Sequence, residues 1–278
     1  MAGKPLRLAY NTNGLAHHRL GEALDLLAGA GYDGVGLTLD ANHLDPLRAT
    51  AAEIAAVRSL LEKRGLACVV ETGARFVLDP SRKHWPTLLS REGAERRRDL
   101  LLRCIAIARD LGAPAVSTWS GAGEPGSDAR ENLSRLADAL GPLADRAAEA
   151  GVAIGFEPEP GMFVDTLAGW DALRARVPHR ALGLTLDLGH CLCEPGGDPA
   201  AAVLARGAQI VNVQVSDMKR GVHEHLPFGK GDLDLRACVA ALREAGYAGL
   251  VGVELSRDSH RAPDAVRESM SALRAAGA

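Results

Sequence analysis

The sequence lacks the segments that mark membrane, secreted or nucleic-acid-binding proteins. No stretch approaches the roughly 18 consecutive apolar residues that cross a bilayer, and the N-terminus MAGKPLRLAY has no apolar signal core. The 32 Lys and Arg residues are scattered among 35 Asp and Glu residues, so no basic run is long enough to bind nucleic acid by charge alone. The five cysteines form no CxxC pair, which is typical of reduced thiols. These absences predict a soluble, cytoplasmic protein that binds neither membranes nor nucleic acid.

The sequence alternates short apolar runs with longer helical segments. With 47% hydrophobic and 24% charged residues in 278, it has the composition of a globular protein with a large core. Strands are predicted over residues 6–11, 34–40, 67–72, 114–120, 152–157, 182–187, 209–214 and 250–255. Helices are predicted near residues 19–30, 48–64, 91–111, 128–150, 165–176, 198–206, 234–245 and 262–276.

The eight strand–helix units favour a single (β/α)8 TIM barrel over residues 1–278. Runs of Val, Leu and Ile without strict alternation are typical of parallel strands that are buried on both faces. A doubly wound open sheet is the alternative, but eight units of about 35 residues favour closure. No linker or change in composition divides the chain.

Four consecutive predicted strands end in a side chain that can offer an oxygen ligand. These residues are Glu157, Asp187, Gln214 and Glu254. A single acid at a strand end is usually a helix cap or an ion-pair partner, but a barrel brings all four ends around one axis. Three clustered carboxylates repel one another and raise their own pKa values unless a cation lies between them. The set therefore predicts a site for Mg²⁺ or Mn²⁺.

Four segments resemble the sugar phosphate isomerase/epimerase superfamily, the xylose isomerase-like TIM barrels. They read GFEPEPGMFVDT, LTLDLGHC, VQVSDMKRGVHEHLPFGKGDLD and VGVELSR. That resemblance implies metal ligands at Glu157, Asp187, position 214 and Glu254. The superfamily commonly has His at the third position, whereas its hydroxypyruvate isomerase branch has Gln, as this chain does. Mn²⁺ or Mg²⁺ is expected, with Co²⁺ or Zn²⁺ as alternatives.

Other residues are predicted to contact substrate. The resemblance implies this role for His190 and Arg220, and it leaves Glu159 as an uncertain counterpart of a second glutamate in the ketose epimerases. Asn11 and Asn13 are expected at the barrel mouth. Positions after the predicted strands add His223, His225, His43, Glu71, Trp119 and Lys83.

The predicted function is metal-dependent isomerisation or epimerisation of a small polyhydroxylated carbonyl compound, such as a sugar, sugar phosphate or keto-polyol. Glu157 and Glu254 would remove and return the proton of an enediolate mechanism. A dehydratase or lyase acting on a keto-cyclitol is the main alternative. An apurinic endonuclease-like hydrolase fits less well, because such enzymes use a histidine-rich zinc site and this chain has Gln214 and a net charge of −3. A non-catalytic binding protein and a homo-oligomer stay open.

Overall fold

The computed structural model describes residues 5–278, and these residues form a closed parallel barrel. The strands are β1 (Arg7–Asn11), β2 (Gly34–Thr38), β3 (Ala67–Glu71), β4 (Ala115–Thr118), β5 (Ala153–Phe156), β6 (Leu182–Asp187), β7 (Ile210–Val215) and β8 (Leu250–Val253). Each strand pairs with its successor, and β1 also pairs with β8, for example Leu8 with Val251. The predicted (β/α)8 barrel is therefore confirmed, and the open-sheet alternative is wrong. The predicted domain span begins with residues 1–4, which lie outside the described residues.

Helices connect the strands on the outside of the barrel. They are α1 (Leu20–Ala30), α2 (Ala51–Arg64), α3 (Ala94–Leu111), α4 (Ala129–Glu149), α5 (Leu167–Arg176), α6 (Leu188–Cys193), α7 (Pro199–Arg206), α8 (Leu235–Glu244) and α9 (Ala262–Ala275). The short helix α6 was not predicted. It begins at Leu188 and is capped by Asp187, whose carboxylate accepts from the backbone N–H groups of Gly189 and His190 at 2.6 and 3.1 Å. Such a cap stabilises the first turn of a helix.

Local sequence determines where several of these helices begin and end. Thr50 caps α2 in a reciprocal arrangement with Glu53, whose carboxylate accepts from the backbone N–H of Thr50. Gly65 ends α2 with φ of 64°, and Gly31 ends α1 with φ of 84°. Glycine adopts this left-handed conformation without the steric cost that a Cβ would bring.

Strand β7 shows how the barrel separates apolar from polar side chains. Successive side chains of a strand point to opposite faces, so Val213 and Val215 lie on one face and Asn212 and Gln214 on the other. The two amides reach Glu71 of β3 across the barrel interior. The apolar core therefore lies mainly between strands and helices, while polar groups fill the C-terminal end of the barrel. Across residues 5–278, no helix combines the length and apolar character that a bilayer span requires.

Candidate active site

A cavity of about 610 Å³ opens at the C-terminal ends of the strands. Its floor includes Glu157 after β5, Gln214 of β7 and Glu254 after β8. Asp187, at the end of β6, is 2% exposed and lies beside Glu157. The four predicted strand-end residues therefore gather at one place, as parallel strands of a barrel require.

The acids at these strand ends belong to two groups of side chains, each compact enough to hold a cation. Oxygen and nitrogen atoms of Glu157, Asp187 and His190 lie within 4.8 Å of one another, and so do those of Asp187, His225 and Glu254. Asp187 belongs to both groups. Glu157 and Glu254 thus each lie within ligand distance of Asp187.

Gln214 is held in place by a buried network that spans the barrel. Its Nε2 donates to Oε2 of Glu71 at 2.9 Å, while Nδ2 of Asn212 donates to Oε1 of Glu71 at 3.0 Å. Both amides therefore point their NH2 groups toward β3, and Oε1 of Gln214 is left buried without a hydrogen-bond partner. The predicted substrate contact Glu71 does line the cavity, but both of its oxygens are engaged in orienting these amides.

The carboxylates strongly perturb one another. Burial, followed by repulsion from Glu254, raises the pKa of Glu71 to about 8. Burial also raises the pKa of Glu254 to about 8, with Asp187 as the main charged neighbour. The pKa of Glu157 is raised well above its ordinary value by burial and then by Glu159. The charged forms of these groups are unstable together unless positive charge is supplied.

The donor set fits the divalent metal that the family resemblance implies. Oε1 of Gln214 and Oδ2 of Asp187 are buried acceptors without a donor in the described structure. A buried oxygen without a partner costs roughly 1–3 kcal/mol, and a cation would satisfy both atoms. With the carboxylates of Glu157 and Glu254 they make a hard, oxygen-rich set that suits Mn²⁺ or Mg²⁺.

Three predicted histidines form a cluster beside the acids. The ring centroid of His190 lies 4.8 Å from that of His223 and 5.7 Å from that of His225. Nδ1 of His190 lies 3.2 Å from the carbonyl oxygen of Pro158, which can only accept, so this nitrogen holds the proton and Nε2 presents a lone pair. Burial lowers the pKa of His190 to about 4, which keeps the ring neutral.

Of the remaining predicted contacts, Trp119 and Lys83 line the cavity, whereas His43 and Arg220 do not. The side chain of His43 is fully buried, with Nε2 3.1 Å from the carbonyl oxygen of His18. The exposed Arg220 donates from Nη1 to the carbonyl oxygen of Gly197 at 2.8 Å. In this structure His43 and Arg220 therefore contact backbone carbonyl oxygens rather than the cavity.

Glu159 lies closer to the acid cluster than the sequence indicated. Strand β5 ends at Phe156, so residues after it no longer alternate between faces, and both Glu157 and Glu159 line the cavity. Oε2 of Glu159 lies 3.9 Å from Nδ1 of His190, and Oε1 lies 3.7 Å from Nε2 of His223. Burial and repulsion from Glu254 raise the pKa of Glu159 to about 8.

Two supporting residues had weaker signals in the sequence. Asn13 was expected only at the mouth, but its Nδ2 donates to Oε1 of Glu254 at 2.8 Å and so positions that acid. Asn212 was not singled out at all. Its spacing of two residues from Gln214 within one strand places both on the same face, which was the available signal.

Comparison with known proteins places the chain among barrels of related architecture. Residues 24–276 match the family model described as the xylose isomerase-like TIM barrel. A 3-dehydroshikimate dehydratase of Pseudomonas aeruginosa is 31% identical over 266 residues, covering 92% of this chain but 39% of the relative. The chain thus spans well under half the length of that relative and of its Pseudomonas putida counterpart.

One further relative and one solved structure of similar fold are epimerases. An L-ribulose-5-phosphate 3-epimerase of Salmonella paratyphi C is 25% identical, covering 88% of this chain and 84% of the relative. The crystal structure of a D-allulose 3-epimerase from Methylomonas sp. matches 99% of this chain and 100% of that chain, with a TM-score of 0.78 at 20% identity. At that identity the structural match supports the fold alone. Relatives of the isomerase and epimerase kind nevertheless accompany the family match, and the chain belongs to the xylose isomerase-like TIM barrel family.

Proposed function

We propose that this protein is a divalent-metal-dependent isomerase or epimerase of a small sugar, sugar phosphate or keto-polyol. The observation that supports this most directly is the pair of acids Glu157 and Glu254, which follow β5 and β8 and line the same cavity as Gln214, whose Oε1 is buried without a partner. Two acids on different sides of one substrate can remove a proton and return it. The sugar epimerases among the relatives are consistent with that chemistry.

In this proposal Glu157, Asp187, Gln214 and Glu254 hold the metal, Mn²⁺ or Mg²⁺. When bound, the metal would polarise the substrate carbonyl and so acidify the neighbouring C–H bond. The carboxylates of Glu157 and Glu254 take and return that proton, and each positioned group contributes typically 10²–10⁴-fold to the rate. Asn13 holds Glu254 by its 2.8 Å hydrogen bond, which limits the directions from which this acid can reach the substrate.

The histidines would orient the substrate. The unprotonated Nε2 of His190 can accept a hydrogen bond from a substrate hydroxyl, because Nδ1 is committed to the carbonyl oxygen of Pro158. His225 is fixed by a 2.9 Å contact between its Nδ1 and Oγ of Ser216, which leaves Nε2 available.

Five unpaired cysteines in the described residues support the expected cytoplasmic setting.

Dehydration is the second candidate, and Glu159 favours it. A dehydratase would remove the same α-proton and then expel a β-hydroxyl, which leaves as water after accepting a proton from an acid. Burial raises the pKa of Glu159 to about 8 in the metal-free protein, and its Oε1 lies 3.7 Å from Nε2 of His223. The two Pseudomonas relatives named 3-dehydroshikimate dehydratase, at 31% and 28% identity, point the same way.

Incubation of the manganese-loaded protein in D2O with ketoses, ketose phosphates and keto-cyclitols tests both candidates. An isomerase or epimerase incorporates deuterium next to the carbonyl and keeps the mass of the carbon skeleton otherwise unchanged. A product lighter by one water assigns the dehydratase instead. Glu157→Gln should abolish exchange, whereas Glu92→Gln, a change at an exposed acid outside the cavity, should not. Equal exchange by wild type and Glu157→Gln would contradict the proposed role of Glu157.

A further inference from the structure

The segment between β3 and α3 contributes two cations and a neutral imidazole to the cavity wall, because burial lowers the pKa of His84 to about 4. Arg75, Lys83 and His84 all line the cavity, and they face a floor that is rich in carboxylates. We propose that these three residues form a subsite for an anionic group of the substrate, either a phosphate ester or a carboxylate. This inference rests on the proposed function and specifies its substrate class as acidic polyhydroxylated carbonyl compounds.

The first argument is the lack of protein partners for two cations. Arg75 and Lys83 are exposed, and neither takes part in any ion pair of the described chain, whereas the neighbouring cavity residue Arg257 pairs with Glu224 at 3.1 Å. Both cations line the same cavity as Glu157 and Glu254. They therefore border the space that a bound substrate would occupy, and no carboxylate of the described residues forms an ion pair with either of them.

The second argument is the conformation of His84. Among the non-glycine residues described, only His84 has a positive φ, of 60°. This conformation is unfavourable for a residue with a Cβ and is concentrated at functional sites. The backbone N–H of His84 donates to the carbonyl oxygen of Arg75 at 2.6 Å, which holds the two residues together. The ring packs edge-on against Trp119, with 5.0 Å between centroids, and its buried Nδ1 has no partner.

The third argument is a buried cation that holds the backbone of the segment around His84 in place. Arg97 of α3 is only 5% exposed, and it donates from Nε to the carbonyl oxygen of Pro86 at 2.8 Å and from Nη2 to that of His84 at 3.0 Å. Burial lowers the pKa of Arg97 to about 10, so it stays charged at neutral pH. No carboxylate within residues 5–278 pairs with it. A buried charge without a counterion is costly, and its positive field extends toward the Trp119 ring, 5.1 Å away.

Together these features give the cavity one side rich in carboxylates and another side that carries cations. The carboxylates and Gln214 occupy the floor, and the basic residues occupy the wall that follows β3. A neutral sugar would leave Arg75 and Lys83 without a counterion. A substrate with its carbonyl beside the carboxylates and an anionic group beside Arg75 and Lys83 would interact favourably with both sides.

Binding of simple anions to the manganese-loaded protein tests the subsite without turnover. The probes are propyl phosphate, butyrate and the neutral butanol, measured by calorimetry and by the NMR signals of the His84 ring. We expect one or both anions to bind, to shift the His84 signals, and to bind about tenfold more weakly to the double variant Arg75→Gln/Lys83→Gln, because each partly exposed ion pair contributes modestly. The matched control Arg130→Gln/Lys63→Gln changes two exposed cations outside the cavity and should bind as wild type does.

The outcomes separate the two possible anions and the two proposals. Preference for propyl phosphate assigns a phosphorylated substrate, and preference for butyrate assigns a sugar acid or keto acid. The subsite is overturned if neither anion binds, or if binding is unchanged in the double variant, which would mean that the anions bind the metal and that the cations only screen the carboxylates. Because the probes undergo no reaction, a negative D2O experiment would remove the proposed chemistry without altering the binding result.

Discussion

The substitution Gln214→Leu tests whether the buried amide is a metal ligand. Leucine has a volume similar to that of glutamine but no ligand atom. In the structure, Nε2 of Gln214 donates to Glu71 at 2.9 Å while Oε1 has no donor. The substitution therefore removes one good hydrogen bond and one unsatisfied oxygen at the same position.

These two effects largely offset each other in the metal-free protein. With its pKa near 8, Glu71 is mostly neutral in the metal-free protein at pH 7. A neutral hydrogen bond contributes roughly 0.5–1.5 kcal/mol, and a buried unsatisfied group costs roughly 1–3 kcal/mol. The free energy of unfolding without metal should therefore change by less than about 2 kcal/mol. The metal-loaded protein behaves differently, because it loses one of four proposed ligands.

We expect metal affinity to fall at least about tenfold, which corresponds to roughly 1.4 kcal/mol. At saturating metal this amount is subtracted from the stabilisation that the ion provides. For a protein of this size the Mn²⁺-induced rise in Tm should shrink by about 2–3 °C.

The assay is thermal unfolding of wild type and Gln214→Leu, each after chelation and again with added Mn²⁺. Gln209→Leu is the matched control. Gln209 precedes the other end of β7 and accepts a hydrogen bond from Nε1 of Trp170 at 2.9 Å, so its loss should lower Tm without changing the response to Mn²⁺. A full Mn²⁺ response in Gln214→Leu would refute the ligand role and leave Gln214 as a hydrogen-bonded core amide.

Further predictions concern the metal, the acids and pH. Exhaustive chelation should abolish activity, and Mn²⁺ or Mg²⁺ should restore it; full activity in protein shown to be metal-free would contradict the mechanism. Glu157→Gln or Glu254→Gln should lower kcat by at least about 100-fold with a much smaller change in KM, and an effect confined to KM would argue against proton transfer. Gln214→His should keep the fold and shift the preferred metal toward Co²⁺ or Zn²⁺, which metal analysis and activity with each ion would check. Burial raises the pKa values of Glu71 and Glu254 from 4.5 to about 8, so between these pH values the folded metal-free protein binds more protons than the unfolded chain. The free energy of unfolding, measured by urea denaturation, should therefore fall as pH rises from 4.5 to about 8. A constant or rising free energy of unfolding would contradict the pKa shifts.

The sequence by itself determined the fold and the ends of the strands that carry the acids. Apolar runs separated by capped helices indicated eight parallel units, and parallel strands in a barrel place their C-terminal ends around one axis. Glu157, Asp187, Gln214 and Glu254 could therefore be grouped without coordinates. Local patterns were sufficient because strand ends and helix caps depend on residues close in sequence.

Only the tertiary structure decided which partners these groups meet. The hydrogen bond between Gln214 and Glu71 joins residues 143 positions apart, and no local pattern encodes such a pair. The same holds for Asn13 with Glu254, and for the carbonyl oxygens that His43 and Arg220 contact. Side-chain direction beyond a strand end depends on how loops from different units pack together, and that packing exists only once the barrel has closed.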